Sequence, residues 1–216
     1  QTLAEVEDLY RPYKPKRRTR ATVAKEKGLE PLADAIFAQV ADSASPAELA
    51  ADYIDAEKGV ETAEDAINGA MDIIAENISD DADIRRRLRS LFTVAGVLQS
   101  RAADSEKESV YTMYYEYDEP VNKIAGHRVL AVNRGENEGF LKVGIDVDRI
   151  KALNIINANV LSDNGSACTD TVRDAAADAY DRLIFPSVER EIRNMITDSA
   201  VESALKVFYV NLRELL

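Results

Sequence analysis

Residues that serve metal binding, redox chemistry and acid–base catalysis are scarce in this sequence. Its 216 residues include one cysteine (Cys168), one histidine (His127) and no tryptophan. A single cysteine cannot close an internal disulfide, which fits a reducing compartment. One cysteine and one histidine also cannot build a Cys/His zinc site. We therefore predict that the chain holds no metal and no cofactor.

Motifs for common enzyme chemistries are missing as well. The sequence has no phosphate-binding G-x-x-x-x-G-K-[ST] or G-x-G-x-x-G loop and no G-x-S-x-G nucleophile elbow. His127 is expected to cap or pack within a small β region. Cys168 lies in a polar turn without a second histidine to activate it, and is expected to be an inert thiol. These features predict a protein that is not an enzyme.

Long apolar runs are absent too. No stretch approaches the about 18 apolar residues that span a bilayer, and no signal peptide opens the chain. We predict a cytoplasmic protein with no membrane contact. Both ends, TLAEVEDLY and SALKVFYVNLRELL, have a helical pattern, so we expect a segment of a longer chain.

Apolar residues at helical spacing run through most of the sequence. They predict a mainly α fold, a multi-helix array with helical hairpins and a small inserted β element. Two capping boxes are predicted, Ser45 with Glu48 and Thr62 with Asp65. A later helix is predicted to start at Ser79 and to include Leu98.

Charges on these central helices are segregated. Residues 61–83 carry acids and no base. Four arginines then follow: Arg85, Arg86, Arg87 and Arg89. Neighbouring positions on a helix face different directions, so some arginines are expected to reach solvent and others the acidic partner helix.

The pattern changes at residue 111. The tyrosines of YTMYYEYDEP are expected in the core and interface of a β region, and FLKVGIDVD alternates as a strand does. HRVLAVNR fits either a helix or a strand. We therefore divide the chain into a helical region at 1–110, a small mixed α/β insertion at 111–148, and C-terminal helices at 149–216 that pack back on the first region.

Two short helices joined by Gly28, TRATVAKEKG and LEPLADAIFAQV, resemble a helix-turn-helix. Gly28 suits the left-handed cap position, and Pro31 suits the first turn of the second helix. Such pairs are more often packing units than readers of DNA.

The densest positive charge lies in RPYKPKRRTR at 11–20, which we call the basic block. It has six cations and no acid, whereas the other 21 basic residues are set against 39 acids, a net charge of −18. Pro12 and Pro15 are predicted to hold the block extended, so that its cations can follow a nucleic-acid backbone. The predicted phosphate contacts are Lys14, Lys16, Arg17, Arg18 and Arg20. Alternatively, the block pairs with the protein's own acids and docks neighbouring domains.

Several stretches occur in the order found in a known family. They are DLYRPYKPKRRTRATVAKEKGLEPLADAI, YIDAEKGV, YYEYDEPVNKI, HRVLAVNRGENEGFL, FPSVEREIR and ALKVFYVNLRELL. Together they resemble the N-terminal portion of the Tex family of bacterial transcription accessory proteins. The chain departs from the family pattern at Gly126, where a helix-capping serine is often found, and at Glu136, where the family tends to place an arginine.

The resemblance implies a bacterial cytoplasmic protein that binds RNA or DNA and acts in transcription. Family members look like a helical region followed by a ribonuclease H-like domain, helix-hairpin-helix elements and an S1 RNA-binding domain. The resemblance thus implies that RNA or DNA is bound mainly through domains absent from this chain, and that the transcription machinery is a candidate partner.

Two functions follow from these observations. The first is a non-catalytic helical scaffold segment of a nucleic-acid-binding transcription accessory factor. The second is a protein–protein interaction module that recruits transcription or RNA-processing partners through its acidic helices.

Overall fold

The computed structural model describes residues 3–14 and 17–215. Over these residues the chain is mainly helical with a three-stranded antiparallel sheet, which confirms the predicted fold class. The chain forms two compact units, one comprising Gln1–Arg87 and Ile150–Phe185, the other Leu88–Arg149 and Pro186–Leu216.

The regular elements follow one another along the chain. They are α1 (Leu3–Tyr10), α2 (Arg20–Glu26), α3 (Glu30–Ala38), α4 (Pro46–Ala50), α5 (Ala63–Asp80), α6 (Ala82–Ala95), β1 (Val97–Ala102), β2 (Glu116–Pro120), α7 (Gly126–Asn137), β3 (Leu141–Asp146), α8 (Arg149–Val160), α9 (Thr169–Asp178) and α10 (Phe185–Leu215). None of the helices within the described part of the chain combines the length and apolar character that a membrane crossing needs.

Helix α5 is the centre of the first unit, with α2, α3, α4 and α9 packed on it. Its buried face consists mainly of small and branched apolar residues: Ala66, Ala70, Ile73, Ile74, Ala75 and Ile78. Small side chains let neighbouring helices approach closely. A Cβ atom on Gly69 would lie 2.4 Å from Leu29 Cδ1. The predicted helical periodicity therefore corresponds to a real core face.

Both predicted capping boxes are confirmed. The backbone N–H groups of Ser45 and Thr62 donate to the carboxylates of Glu48 and Asp65 over 2.8 and 3.0 Å. The side-chain oxygens of the two cap residues accept from the N–H groups three positions later. Each box satisfies backbone donors that the first helical turn leaves without a partner.

The connection between α2 and α3 also agrees with the sequence. Gly28 has φ +81°, the left-handed conformation that glycine adopts without strain. Pro31 lies in the first turn of α3. Buried residues of both helices, including Ala24 and Leu32, face the core of the unit.

The predicted helix start at Ser79 is wrong. Ser79 lies inside α5, and its hydroxyl donates to the Glu76 carbonyl over 2.8 Å. The break comes at Asp81, whose carboxylate accepts the Ile84 N–H over 2.8 Å and caps α6. Serine can satisfy its hydroxyl within a helix, so its presence alone does not mark a boundary.

The sheet of the second unit has the strand order β2-β1-β3. Its core cluster contains Leu98, Tyr111, Tyr114, Val132 and Leu141, which confirms the predicted role of the tyrosines. The predicted strand in FLKVGIDVD is confirmed as β3. The ambiguous stretch HRVLAVNR is helical and forms most of α7.

The inclusion of Leu98 in a helix is wrong, because Leu98 lies on the central strand β1, opposite Glu119 and Ile145. Gly96 ends the helix before Leu98. Its N–H donates to the Phe92 carbonyl over 3.0 Å, and a Cβ atom there would lie 2.2 Å from that carbonyl oxygen. The chain therefore turns out of α6 one residue before the strand.

Helix α10 begins around Pro186, as predicted. It is preceded by Ala179–Ile184, a wider π-helical stretch. Proline has no N–H and its ring collides with the carbonyl four residues earlier in a regular α-helix. The wider spacing accommodates Pro186 at the second position of α10.

Candidate nucleic-acid interface

The basic block leaves α1 through one tight turn. Arg11–Tyr13 form a single turn of 3-10 helix, and Lys14 follows with extended backbone angles (φ −69°, ψ 129°). The prediction that Pro12 holds the block extended is therefore wrong. The φ of proline, near −65°, suits a helical turn as well as a polyproline conformation. Pro15 and Lys16 lie outside the described residues.

The four predicted contact residues that the structure describes are all exposed: Lys14, Arg17, Arg18 and Arg20. Arg18 Nη2 lies 2.8 Å from Glu26 Oε2, with 70% and 53% of the two side chains exposed. An ion pair this exposed contributes little to stability, because water and salt screen it. Arg18 can therefore exchange Glu26 for a phosphate at small cost.

The beginning of the block faces a cavity of about 500 Å³ in the first unit. Arg11 and Lys14 share its lining with three carboxylates, those of Glu7, Glu76 and Asp80. This end of the block thus lies beside the protein's own acids, as the docking alternative requires. Of the later cations in the described chain, Arg17, Arg18 and Arg20 do not line this cavity.

Two exposed tyrosines lie on either side of Arg11 at the start of the basic block. Tyr13 is 79% exposed and Tyr10 is 55% exposed. Aromatic rings beside a row of cations are the combination on which single-stranded nucleic acids stack. Neither tyrosine is among the contacts predicted from the sequence, although the interleaved order in YRPYK points to them.

A buried ion pair fixes α1, and with it the start of the basic block. Arg85 Nε lies 2.9 Å from Asp8 Oδ1, and the two side chains are 0% and 5% exposed. Arg85 Nη1 also points to the Ser79 carbonyl at 3.5 Å. The sequence placed Arg85 in a cluster but gave no sign that its carboxylate partner lies on α1.

The neighbouring arginines behave differently. Arg86 and Arg87 are exposed and both pair with Asp83 on their own helix. Arg89 Nε lies 3.1 Å from Glu191 Oε2 on α10. The prediction that some of these side chains reach solvent is confirmed. The carboxylate partners of this arginine cluster include residues on α1, α6 and α10.

The residues considered for catalysis have ordinary surroundings. His127 is exposed in the first turn of α7. Cys168 is fully buried before α9, with its sulfur 3.9 Å from the Ala44 carbonyl oxygen. Across the described residues, no group of three or more His, Cys, Asp or Glu side chains is arranged to hold a metal ion.

The RGENEG stretch ends α7 and carries an ion pair that the sequence did not reveal. The Arg193 guanidinium contacts the Glu136 carboxylate through two hydrogen bonds of 3.1 and 2.5 Å. It also donates to the Val143 carbonyl on β3 over 3.0 Å. The hydrogen bonds to Glu136 raise the pKa of Arg193 above its ordinary value. Glu136 thus ties α7 to α10 at the position where the chain departs from the Tex pattern.

Comparison with known proteins agrees with the resemblance seen in the sequence. Residues 41–208 match the family model described as Tex central region-like. Uncharacterized protein YdcI of Bacillus subtilis is 48% identical over 219 residues, which cover 99% of this chain and 30% of that protein. Protein tex of Bordetella pertussis is 32% identical over 231 residues, covering 100% of this chain and 29% of that protein.

A third relative is the transcriptional accessory protein Tex of Neisseria gonorrhoeae. It is 34% identical over 225 residues, covering 98% of this chain and 28% of that protein. This chain spans under a third of the length of these relatives. Because the family model matches most of its residues, the chain belongs to the Tex central region-like family.

Proposed function

We propose that this chain is a non-catalytic helical scaffold segment of a Tex-like transcription accessory factor, located in the cytoplasm. We further propose that its basic block contacts the phosphates of single-stranded nucleic acid. The observation that carries the second proposal is the exposure of Arg17, Arg18 and Arg20 in a chain of net charge −12. The name of one relative, transcriptional accessory protein Tex, supports a role in transcription.

The two ends of the basic block have different neighbours, which supports two roles for it. Arg11 and Lys14 lie beside carboxylates of the first unit and help to hold the block in place. The later arginines lie in solvent, where the attraction of a polyanion is available to them. Tyr13 adds a ring on which an unpaired base can stack, so we favour single strands over duplexes.

The alternative, recruitment of partners through acidic helices, receives less support. Acids of 61–83 are engaged within the chain: Asp65 caps α5, Asp81 caps α6, Asp83 pairs with two arginines, and Asp72 lies 3.1 Å from Arg182. Carboxylates engaged in this way are less available to a partner. The scaffold proposal accounts for them directly.

Salt dependence of oligonucleotide binding tests the proposal. For single strands, the slope of log affinity against log salt is about −0.7 for each phosphate contact. The variant with Arg17→Ala, Arg18→Ala and Arg20→Ala should therefore have a slope shallower by about 2, and weaker binding at low salt. Fluorescence anisotropy with a labelled single-stranded oligonucleotide measures both quantities.

The matched control removes the same charge elsewhere. Arg86, Arg87 and Arg173 are exposed and pair with Asp83 or Asp170 nearby, so their replacement by alanine changes the net charge equally. The control should keep the slope of the original protein. If both triple variants give the same salt slope and the same affinity, the basic block does not contact phosphate and only its docking role remains.

A further inference from the structure

A polar cleft of about 830 Å³ lies between α7 and α10 in the second unit. Its exposed lining residues are Arg134, Asn137, Pro186, Arg190 and Asn194. Arg134 and Asn137 come from α7, and the other three come from α10. The size lies within the range of pockets that bind small molecules or parts of larger ligands.

The exposed rim of this cleft has a charge opposite to that of the whole chain. No carboxylate occurs among its exposed lining residues, all of which the structure describes, although the chain has 39 acids and 27 basic residues. The two acids of the lining, Glu136 and Glu189, are partly buried, and Glu136 is paired with Arg193. Glu138, which directly follows α7, does not line the cleft.

The floor of the cleft is held by a hydrogen-bond network. Arg193 donates to Asn133 Oδ1 over 3.1 Å, and Asn133 Nδ2 donates to Thr197 Oγ1 over 2.8 Å. Thr197 Oγ1 donates in turn to the Arg193 carbonyl over 2.7 Å. These contacts fix the two helices that carry the rim, so the rim side chains project from a preorganised frame.

We propose that this cleft binds one nucleotide unit of a single-stranded nucleic acid, with Arg134 and Arg190 at the phosphate and Asn137 and Asn194 at the base edge. Guanidinium groups bind phosphate oxygens through paired hydrogen bonds. Side-chain amides offer both donors and acceptors, which matches the edge of an unpaired base. A duplex keeps its base edges within its grooves, so the cleft accommodates a single strand.

This inference rests on the proposed function, because it assumes that the protein binds single strands, but it concerns a second site. The test uses the full chain with Arg134→Ala and Arg190→Ala. Anisotropy with a labelled single-stranded oligonucleotide should show affinity at least about tenfold lower, and a salt slope shallower by about 0.7 for the one phosphate that both arginines contact. The lysine pair, Arg134→Lys with Arg190→Lys, keeps the charge and should recover most of the slope.

Two arginines outside the cleft and the basic block provide the control. Replacement of Arg86 and Arg173 by alanine removes the same charge and should change affinity less than twofold, since neither residue belongs to a proposed contact surface. Thermal unfolding of each variant checks that the fold is intact. Cleft and control variants with the same affinity and slope would overturn the cleft proposal, whatever the basic-block variant shows.

A mononucleotide and an acidic peptide separate the remaining outcomes. NMR titration with a nucleoside monophosphate should shift the side-chain amide signals of Asn137 and Asn194 in the original protein and not in the alanine pair. If a glutamate-rich peptide produces these shifts and the nucleotide does not, the cleft binds an acidic protein segment and the proposal is wrong. Failure of the original protein to bind any oligonucleotide would instead refute the proposed function.

Discussion

Replacement of Asp8 by alanine tests how the start of the basic block is held. Asp8 and Arg85 form an ion pair of 2.9 Å with side-chain exposures of 5% and 0%. Without the carboxylate, the guanidinium stays buried and keeps the Ser79 carbonyl at 3.5 Å among its contacts. Loss of one partner of a buried pair costs about 3–5 kcal/mol.

We expect the lower end of this range, about 3 kcal/mol, because α1 can undock locally and let water reach Arg85. Urea unfolding should show this loss if α1 unfolds with the rest of the first unit. If α1 opens separately, hydrogen exchange should accelerate at the α1 amides while the α5 amides keep their protection. Binding of single strands should weaken in either case, since the block loses its anchor.

Two further variants test whether burial of the Asp8–Arg85 pair causes this loss of stability. Asp8→Asn keeps the shape and an acceptor oxygen, so it should lie between the original protein and Asp8→Ala. Asp83→Ala breaks the exposed pairs with Arg86 and Arg87 and should leave stability nearly unchanged. If Asp8→Ala and Asp83→Ala lower the free energy of unfolding equally, burial does not make the Asp8–Arg85 pair more stabilising than the exposed pairs of Asp83.

Three further changes have expected outcomes. Gly135→Ala should destabilise the chain by about 1–2 kcal/mol in urea unfolding, although alanine has the better helix propensity. The reason is that the added Cβ would lie 2.5 Å from Leu141 Cδ1 and 3.1 Å from Tyr111 Cδ1. A variant more stable than the original protein would contradict this. Burial raises the pKa of Glu189, so its ionisation opposes folding and stability falls as pH rises through that pKa. Glu189→Gln should remove this fall in pH-dependent unfolding and leave the variant at least as stable at neutral pH. Tyr13→Ala should weaken single-strand binding about tenfold, while Tyr13→Phe should not. Equal losses of affinity in both variants would exclude stacking of a base on this ring.

Local features were readable from the sequence because their partners lie within a few residues. The capping boxes at Ser45 and Thr62, the left-handed turn at Gly28 and the first-turn position of Pro31 depend on backbone geometry over three or four residues. The tyrosine-rich core also followed from composition, since large rings without interleaved cations favour burial.

Features that depend on distant residues were not readable. The Asp8–Arg85 and Glu136–Arg193 pairs join positions 77 and 57 residues apart, and the charge pattern was compatible with many other pairings. Leu98 continues the apolar spacing of α6, which favours a helix, while the close turn at Gly96 depends on the three-dimensional path of the backbone. The divisions after residues 110 and 148 and the phosphate contacts at 14–20 stay predictions.

Photo-crosslinking tests the central claim most directly. A thiouridine-containing single strand is bound to the full chain, irradiated, and the modified peptides are identified by mass spectrometry. The account predicts cross-links within residues 11–20, with Tyr13 among them, and at the rim of the α7–α10 cleft. Cross-links confined to other surfaces, with both of these segments unmodified at saturating oligonucleotide, would contradict it.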